Sequence, residues 1–407
     1  MEQISETLKT KFNDAAYEYR VNAFRSFLQS PTRDYKESPT TKEYVDLTGE
    51  ELDTLLYNDD FTSGSFSDPD AHITVLDSTV SWKETAGIRI SDMKTAMEEF
   101  PDLFGQTIFK VTGNDRSEYL INATWENGYF VNVPENTRNV RLVISEKSER
   151  KSLSLKSVIV VGDDCTVDIT EKCLSDASEK AVHGKTVYIF IGKRSKVNFN
   201  YLQQKSREVV DLTFIKSVLE DYAEFKIFHV NSGGSKVIFA NESIMNGEGS
   251  DFRTQGVSFT DGSQAMDIRD SSFQLGKGTY ADIQVRGAVS GNSVTMHRGN
   301  IDIEEESIQS NGFYDSKILL LSEGGYANSK PGLIIKNNNT KSKHGSAISN
   351  IDEDQILYLR SRGIDRETAE SMIMDGFLSV SVEKSGNKLL MEKVHEFAEA
   401  VIANDRQ

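Results

Sequence analysis

Two kinds of periodicity divide the chain. Near its start, Leu8, Phe12, Ala16, Tyr19, Ala23 and Phe27 recur at helical spacing. That spacing predicts one amphipathic helix over about residues 5–30, ended by Pro31. From about 107 to 337 the pattern shortens to runs such as Val158 to Val161, Val187 to Ile191, Phe225 to Val230, Val237 to Ala240, Ile283 to Val285, Ile301 to Ile303 and Ile318 to Leu321. Alternation over three to six residues marks half-buried strands. Glycines at 162, 192, 234, 262, 276, 299 and 324 fall between the runs and read as turns. Many short strands allow a sandwich, a barrel or a β-solenoid. Over two hundred residues without a useful helical stretch is long for one sandwich, which favours the solenoid, though the repeats are too degenerate to fix a rung length.

Helical patterning returns after 340. Asp352 followed by Gln355 has the spacing of a capping box, which predicts a helix starting near Glu353. Ile356, Leu357 and Leu359 give it one apolar face, and Gly363 ends it. Asp365 caps a second helix carrying Ala369, Met372 and Ile373, which Gly376 is expected to stop. A last helix near Lys388 to Ala403, with Leu390, Val394, Phe397 and Val401 on one side, is expected to pack on that pair. The predicted organisation is a helical and mixed region over 1–105, a strand-rich core over 106–340 and a helical region over 341–407. Residues 31 to about 105 carry no assignable pattern, and Asp59 to His72 reads as a mobile loop.

Charge narrows the function classes. The chain has 407 residues, 46 Lys and Arg against 63 Asp and Glu, and a formal net charge of −17. Such a balance argues against binding a phosphate backbone and favours protein partners. No apolar run approaches the roughly 20 residues of a membrane span. The first residues, MEQISETLKTKF, show no secretory signal pattern. Two cysteines do not make a disulfide framework, which fits a reducing cytoplasm.

Few motifs carry chemistry. Lys236 and Lys277 follow glycines but neither completes a phosphate-binding loop, and no HExxH or GxSxG order occurs. Cys165 and Cys173 are too widely spaced for a metal pair and read as buried thiols. Arg360, Arg362 and Arg366 could suggest a DNA-reading helix pair. Seven carboxylates between Asp352 and Asp375 outnumber them and make that improbable. His344 stands after the polar run KNNNTKSK, where no core is available to absorb an imidazole.

The stretch from Ser342 to Leu378 resembles the SufB/SufD family, the scaffold subunits of the Suf iron–sulfur assembly system. The resemblance rests on His344-Gly345, the acidic cap Asp352-Glu353-Asp354, the run Tyr358 to Ile364, Ala369 and Gly376-Phe377. It extends to Trp125 to Thr137, His297 to Ser307 and Ile318 to Ile335, and matches the first hundred residues only loosely. It implies a right-handed parallel β-helix core flanked by N-terminal and C-terminal helical regions.

It also implies roles. His344 would face a partner subunit and serve as a candidate iron or cluster ligand, the cluster being transient and shared. Leu357, Tyr358, Leu359 and Phe377, with Arg362, Gly363 and Gly376 beside them, would dock a Suf ABC-type ATPase. The partner subunit would be a SufB-type paralogue or a second copy of the chain, and the chain itself would bind no nucleotide and catalyse nothing. The chain departs from both branches, and two of the departures, the missing SufB cysteine and His344-Gly345-Ser346 where SufB-type members read HEA, point to the SufD side. Ser342 stands where many SufD sequences carry a cysteine, and the column of the SufB cysteine falls near Ser316, with no cysteine after Cys173. From another class, a β-helix polysaccharide lyase or hydrolase remains open.

Overall fold

The computed structural model describes residues 14–30, 45, 47–56, 63–382 and 386–404. It is mainly β, a parallel β-solenoid of about eight turns with helices at both ends of the chain. One sheet stacks ten strands in the spatial order β2 (Thr79–Trp82), β1 (Ile73–Leu76), β5 (Val140–Lys147), β7 (Thr166–Ser175), β9 (Lys196–Lys205), β11 (Glu224–Gly233), β13 (Asp251–Thr260), β15 (Tyr280–Val289), β17 (Asn311–Leu320) and β19 (Lys341–Asn350). The other stacks nine, namely β3 (Arg89–Asp92), β4 (Tyr129–Val133), β6 (Ser152–Val161), β8 (Ala181–Ile191), β10 (Val209–Leu219), β12 (Lys236–Met245), β14 (Ala265–Gln274), β16 (Val294–Ile303) and β18 (Tyr326–Ile335). Each turn therefore contributes one strand to each sheet.

The turn length is irregular. In the larger sheet Glu224 pairs with Asp251, Asp251 with Tyr280, Tyr280 with Asn311 and Asn311 with Lys341, intervals of 27, 29, 31 and 30 residues. No fixed period exists for a sequence to display. The expected three-to-six-residue runs are the apolar parts of strands about ten residues long. Polar residues continue each strand because the rung above and below satisfies their backbone groups whatever the side chain.

One corner of the coil is held by a ladder of left-handed residues. Asp164, Arg194, Tyr222, Gly249, Gly278 and Gln309 have φ between 57° and 64°. Their N–H groups donate to Lys193 O, Asp221 O, Glu248 O, Lys277 O, Ile308 O and Asn339 O, each one turn further along, at 2.7–2.9 Å. Four of the six are not glycine, a cost of order 1 kcal/mol each that the ladder hydrogen bonds offset. Conversely, Gly299 is not a turn. It lies inside β16, where an added Cβ would stand 1.7 Å from Asp270 O of the preceding rung.

The sheets enclose one apolar core running the length of the coil, from Ile73 and Val75 to Ile303 and Tyr314. Helices cover their outer faces. Helix α1 (Tyr17–Gln29), α2 (Gly49–Thr54) and α5 (Arg116–Thr124) lay Phe24, Phe27, Leu55, Leu120 and Ile121 on Val182, Leu212, Phe214 and Ile238 of the nine-stranded sheet. Helices α3 (Met93–Glu99) and α4 (Pro101–Gln106) pack beside them. The N-terminal prediction is met over α1, while Leu8 and Phe12 lie outside the described residues.

The C-terminal helices α6 (Glu353–Ser361), α7 (Arg366–Val382) and α8 (Lys388–Asn404) fold back along the solenoid. Leu390, Val394, Phe397 and Val401 are buried as predicted, yet against Leu202, Phe228, Val257 and Phe259 of the ten-stranded sheet as well as against Met374 and Leu378. Burying each such side chain contributes about 1.5–3 kcal/mol. That contact explains a correction: Gly376 does not stop α7, which runs on to Val382 because Leu378 and Phe377 are needed on the sheet.

Two further expectations change. The strands begin at Ile73 and end at Asn350, so the rungs extend past both sides of 106–340. The segment read as a mobile loop is tied down over residues 63–72: Asp68 pairs with Lys172 and accepts from Ser145, and Ser63 donates to Asp77. Residues 59–62 of it lie outside the described residues.

Candidate functional site at the open end of the solenoid

His344 is on a strand, not on a polar loop. The run Lys341–Asn350 forms β19 because it adds to β17 in register, pairing His344 with Tyr314 and Ser346 with Ser316. In parallel strands, register partners point to the same face. The column through His344 is Ile169, Phe199, Ile227, Thr254, Ile283, Tyr314, His344. Every member up to Tyr314 is buried in the core, and His344 is exposed. The imidazole thus occupies a core-facing position with no rung beyond to cover it.

Its neighbours share that condition. Ser342, Ser346 and Ile348 alternate with His344 on the same row of β19. Ser346 is exposed and Ile348 is 44% exposed, whereas the Ser342 hydroxyl is buried without a hydrogen-bond partner. Strand β18 closes the other sheet and leaves Tyr326, Ile334 and Ile335 about 40% exposed. Both sheets therefore end together in two ten-residue strands whose outer backbone edges are unpaired among the described residues. Long bare edges normally invite a further strand.

Directly behind lies a polar interior that sequence reasoning missed. Ser316 is buried and bonded to His297 Nδ1 at 3.1 Å, while Ser258 Oγ lies 2.9 Å from His297 Nε2. Burial pushes the His297 imidazole down to about 3, so it is neutral. Deeper in the coil, His229 of β11 contacts Asp270 of β14 at 3.2 Å and Asn231 at 2.9 Å. Sequence offered no signal for these groups, because strand alternation does not reveal which face of a solenoid strand points inward.

The two cysteines are buried and unpaired, as read from their spacing. Cys173 stands near Glu146 and Glu171, the one cluster of possible metal ligands among the described residues. The space between the carboxylates is filled by Lys185 Nζ, 2.5 Å from each and 3.5 Å from the thiol. Burial pushes the thiol up, so it stays protonated. The cluster is a compensated ion network rather than an empty metal cradle.

The second candidate surface is α6. Asp352 caps it by accepting from Asp354 N at 2.9 Å, and Gly363, at φ 87°, ends it as predicted. Asp365 caps α7 through Thr368 N at 2.9 Å. Only Ile356 of α6 is buried; Leu357 and Tyr358 are 65% and 58% exposed. Arg362 donates to the Tyr358 hydroxyl at 3.0 Å, and Leu359 and Tyr358 line a recess with Asp354 and Gln355. Phe377 is different. It is half-buried against the solenoid, next to the exposed Gly376. The structure thus separates the expected anchors into exposed ones on α6 and a packing one on α7.

Comparison with known proteins agrees with this architecture. Residues 143–377 match the family described as SUF system FeS cluster assembly, SufBD core domain. The chain is similar to the iron–sulfur cluster assembly protein SufB of Bacillus subtilis, at 23% identity over 301 residues, covering 72% of this chain and 65% of the relative. A SufBD family protein of Staphylococcus saprophyticus is 22% identical over the same shares. A chloroplastic SufBD family protein of Arabidopsis thaliana is 23% identical over 309 residues, 72% of this chain and 55% of that one. The matches thus span less than two thirds of these relatives' length. With the match covering more than half of its residues, the chain belongs to the SufB/SufD family.

Proposed function

We propose that this protein is a scaffold subunit for iron–sulfur cluster assembly, of SufD type, working as one half of a scaffold pair beside a Suf ABC-type ATPase in the cytoplasm. The observation that carries the reading is His344. It is a core-facing imidazole left uncovered at the end where both sheets stop. A partner solenoid added to β18 and β19 would cover that row and bring its own residues to the imidazole. A neutral imidazole binds iron readily, and the cluster would be cargo shared across the junction. The preferred partner is a SufB-type paralogue that supplies thiolates; a second copy of this chain would bring a second His344 but no thiolate, since no cysteine follows Cys173.

Leu357 and Tyr358 are the docking anchors for the ATPase, and α7 and α8 couple that contact to the face of the ten-stranded sheet. ATP-driven motion would shift the junction only if the ATPase states bind two scaffold arrangements unequally. The chain itself is not an enzyme. Family membership leaves the polysaccharide lyase reading without support. The test is anaerobic iron and sulfide loading of the complex, with and without His344. Loss of cluster absorbance on His344→Ala, with the complex intact, is expected; an unchanged yield would remove the residue from the site.

A further inference from the structure

Helix α6 exposes more than its own packing uses. It has nine residues, and Ile356 alone is buried. A helix this short is marginal without packing, so its ends must hold it. They do so through the Asp352 cap, through Gly363 at φ 87°, and through Arg366, which reaches back to Glu353 at 2.5 and 3.0 Å while holding Glu370 at 2.6 Å. Two large apolar side chains, Leu357 and Tyr358, nevertheless face solvent. Such a patch on a marginal helix marks a contact surface.

Beside them lies a recess of about 360 Å³ lined by Asp354, Gln355, Tyr358 and Leu359. Those residues stand at i, i+1, i+4 and i+5, so they form one face of α6 two residues wide. One wall is fixed in advance: Arg362 donates to the Tyr358 hydroxyl at 3.0 Å and lies 5.1 Å from its ring centroid. A wall held before binding loses little freedom on contact. Asp354 is the one charged residue in the lining. Its carboxylate is exposed and takes no hydrogen bond or ion pair among the described residues. Arg366, the cation that bridges α6 and α7, is already shared by Glu353 and Glu370. The recess therefore offers apolar walls and one unmatched negative charge.

We propose that this recess seats one aliphatic side chain of the Suf ABC-type ATPase and that Asp354 pairs with an ammonium or guanidinium on the same ATPase surface. The inference rests on the reading of α6 as the ATPase-docking helix, and it adds what the partner must present: an apolar knob with a cation beside it. The knob packs between Tyr358 and Leu359 and removes both from water. The cation answers a carboxylate that the contact would otherwise bury unpaired, a penalty that falls on any partner lacking it. Apolar burial supplies the affinity, and the charge selects the partner.

The test measures binding of the full-length protein to the purified ATPase by biolayer interferometry at about 50 and about 300 mM salt. Gln355→Trp fills the recess and should weaken binding about tenfold or more. Asp354→Asn should weaken it about threefold to fivefold at the lower salt and by less than about twofold at the higher, where screening has already removed the pair from the wild type. Both positions are exposed, so helix content by circular dichroism should be unchanged. Should Gln355→Trp lose helix content, the two-salt comparison of Asp354→Asn decides by itself. Wild-type affinity at both salt concentrations in Asp354→Asn, or in a folded Gln355→Trp, would overturn the proposal. Leu357→Asp with Tyr358→Asp separates the two levels. Binding retained by that double variant sinks the docking reading itself, whereas binding lost there but kept by both single variants sinks only the recess.

Discussion

Tyr314 and His344 are register partners on adjacent rungs, and a single missing rung separates their environments. Tyr314 is 1% exposed, with its hydroxyl unpartnered in the core; His344 is open to solvent. The same structural position gives a packing residue when another strand follows and a presented side chain when none does.

Replacing His344 should therefore cost little in folding. His344→Ala is expected to shift unfolding free energy by no more than about 0.5 kcal/mol, as for an exposed site, while cluster yield falls. Urea unfolding and anaerobic reconstitution on the same preparation separate the two effects. A large loss of stability would mean that the imidazole is structural.

Docking should depend on α6 more than on Phe377. Leu357→Asp with Tyr358→Asp places charge on exposed positions, so stability should stay within about 1 kcal/mol while capture of the Suf-type ATPase is lost. Phe377→Asp should lower stability through its contact with the sheet, which makes it the poorer probe. Retained capture by the double variant would rule out α6 as the anchor.

Gly299→Ala tests the close approach of rungs. The new methyl would collide with Asp270 O, whose side chain holds His229 and Asn241. A loss of about 2–4 kcal/mol is expected for overpacking against backbone, read as a lower urea midpoint. A neutral result would show that the strand relaxes there.

Lys185→Met removes the cation between two buried carboxylates. Leaving them unpaired should cost about 3–5 kcal/mol. Adding Glu146→Gln and Glu171→Gln should recover part of that, and no recovery would contradict a compensated network.

Acid sensitivity follows from the buried imidazoles. His183 and His297 are both held down to about 3 by burial. Between pH 6.5 and 3 the unfolded chain binds protons that the folded one refuses, so stability is full above about 6.5 and falls as pH drops. The slope is about 1.4 kcal/mol per pH unit for each imidazole. His297→Gln should flatten the profile over that window; an unchanged slope would mean the ring is already charged in the fold.

Much of this was legible because local rules act locally. Asp352, Gly363 and Asp365 set helix ends through their own backbone and side-chain geometry, and Leu390, Val394, Phe397 and Val401 share a face by helical period alone. The family resemblance rested on such short, rigid signals. The α7 boundary was not legible, because Gly376 weakens a helix only until Leu378 finds the sheet beneath it.

The sequence by itself determined that strands dominate the middle of the chain, that helices flank them, and that an unabsorbed histidine follows the polar run. Tertiary structure alone decided the rung length, since Asp164, Arg194, Tyr222 and Gln309 take left-handed corners that sequence reading assigns to glycine. It also decided which strand is last. Strand pairing is non-local, so only the assembled coil could turn the fourth residue of Lys341–Asn350 from a core position into a presented one.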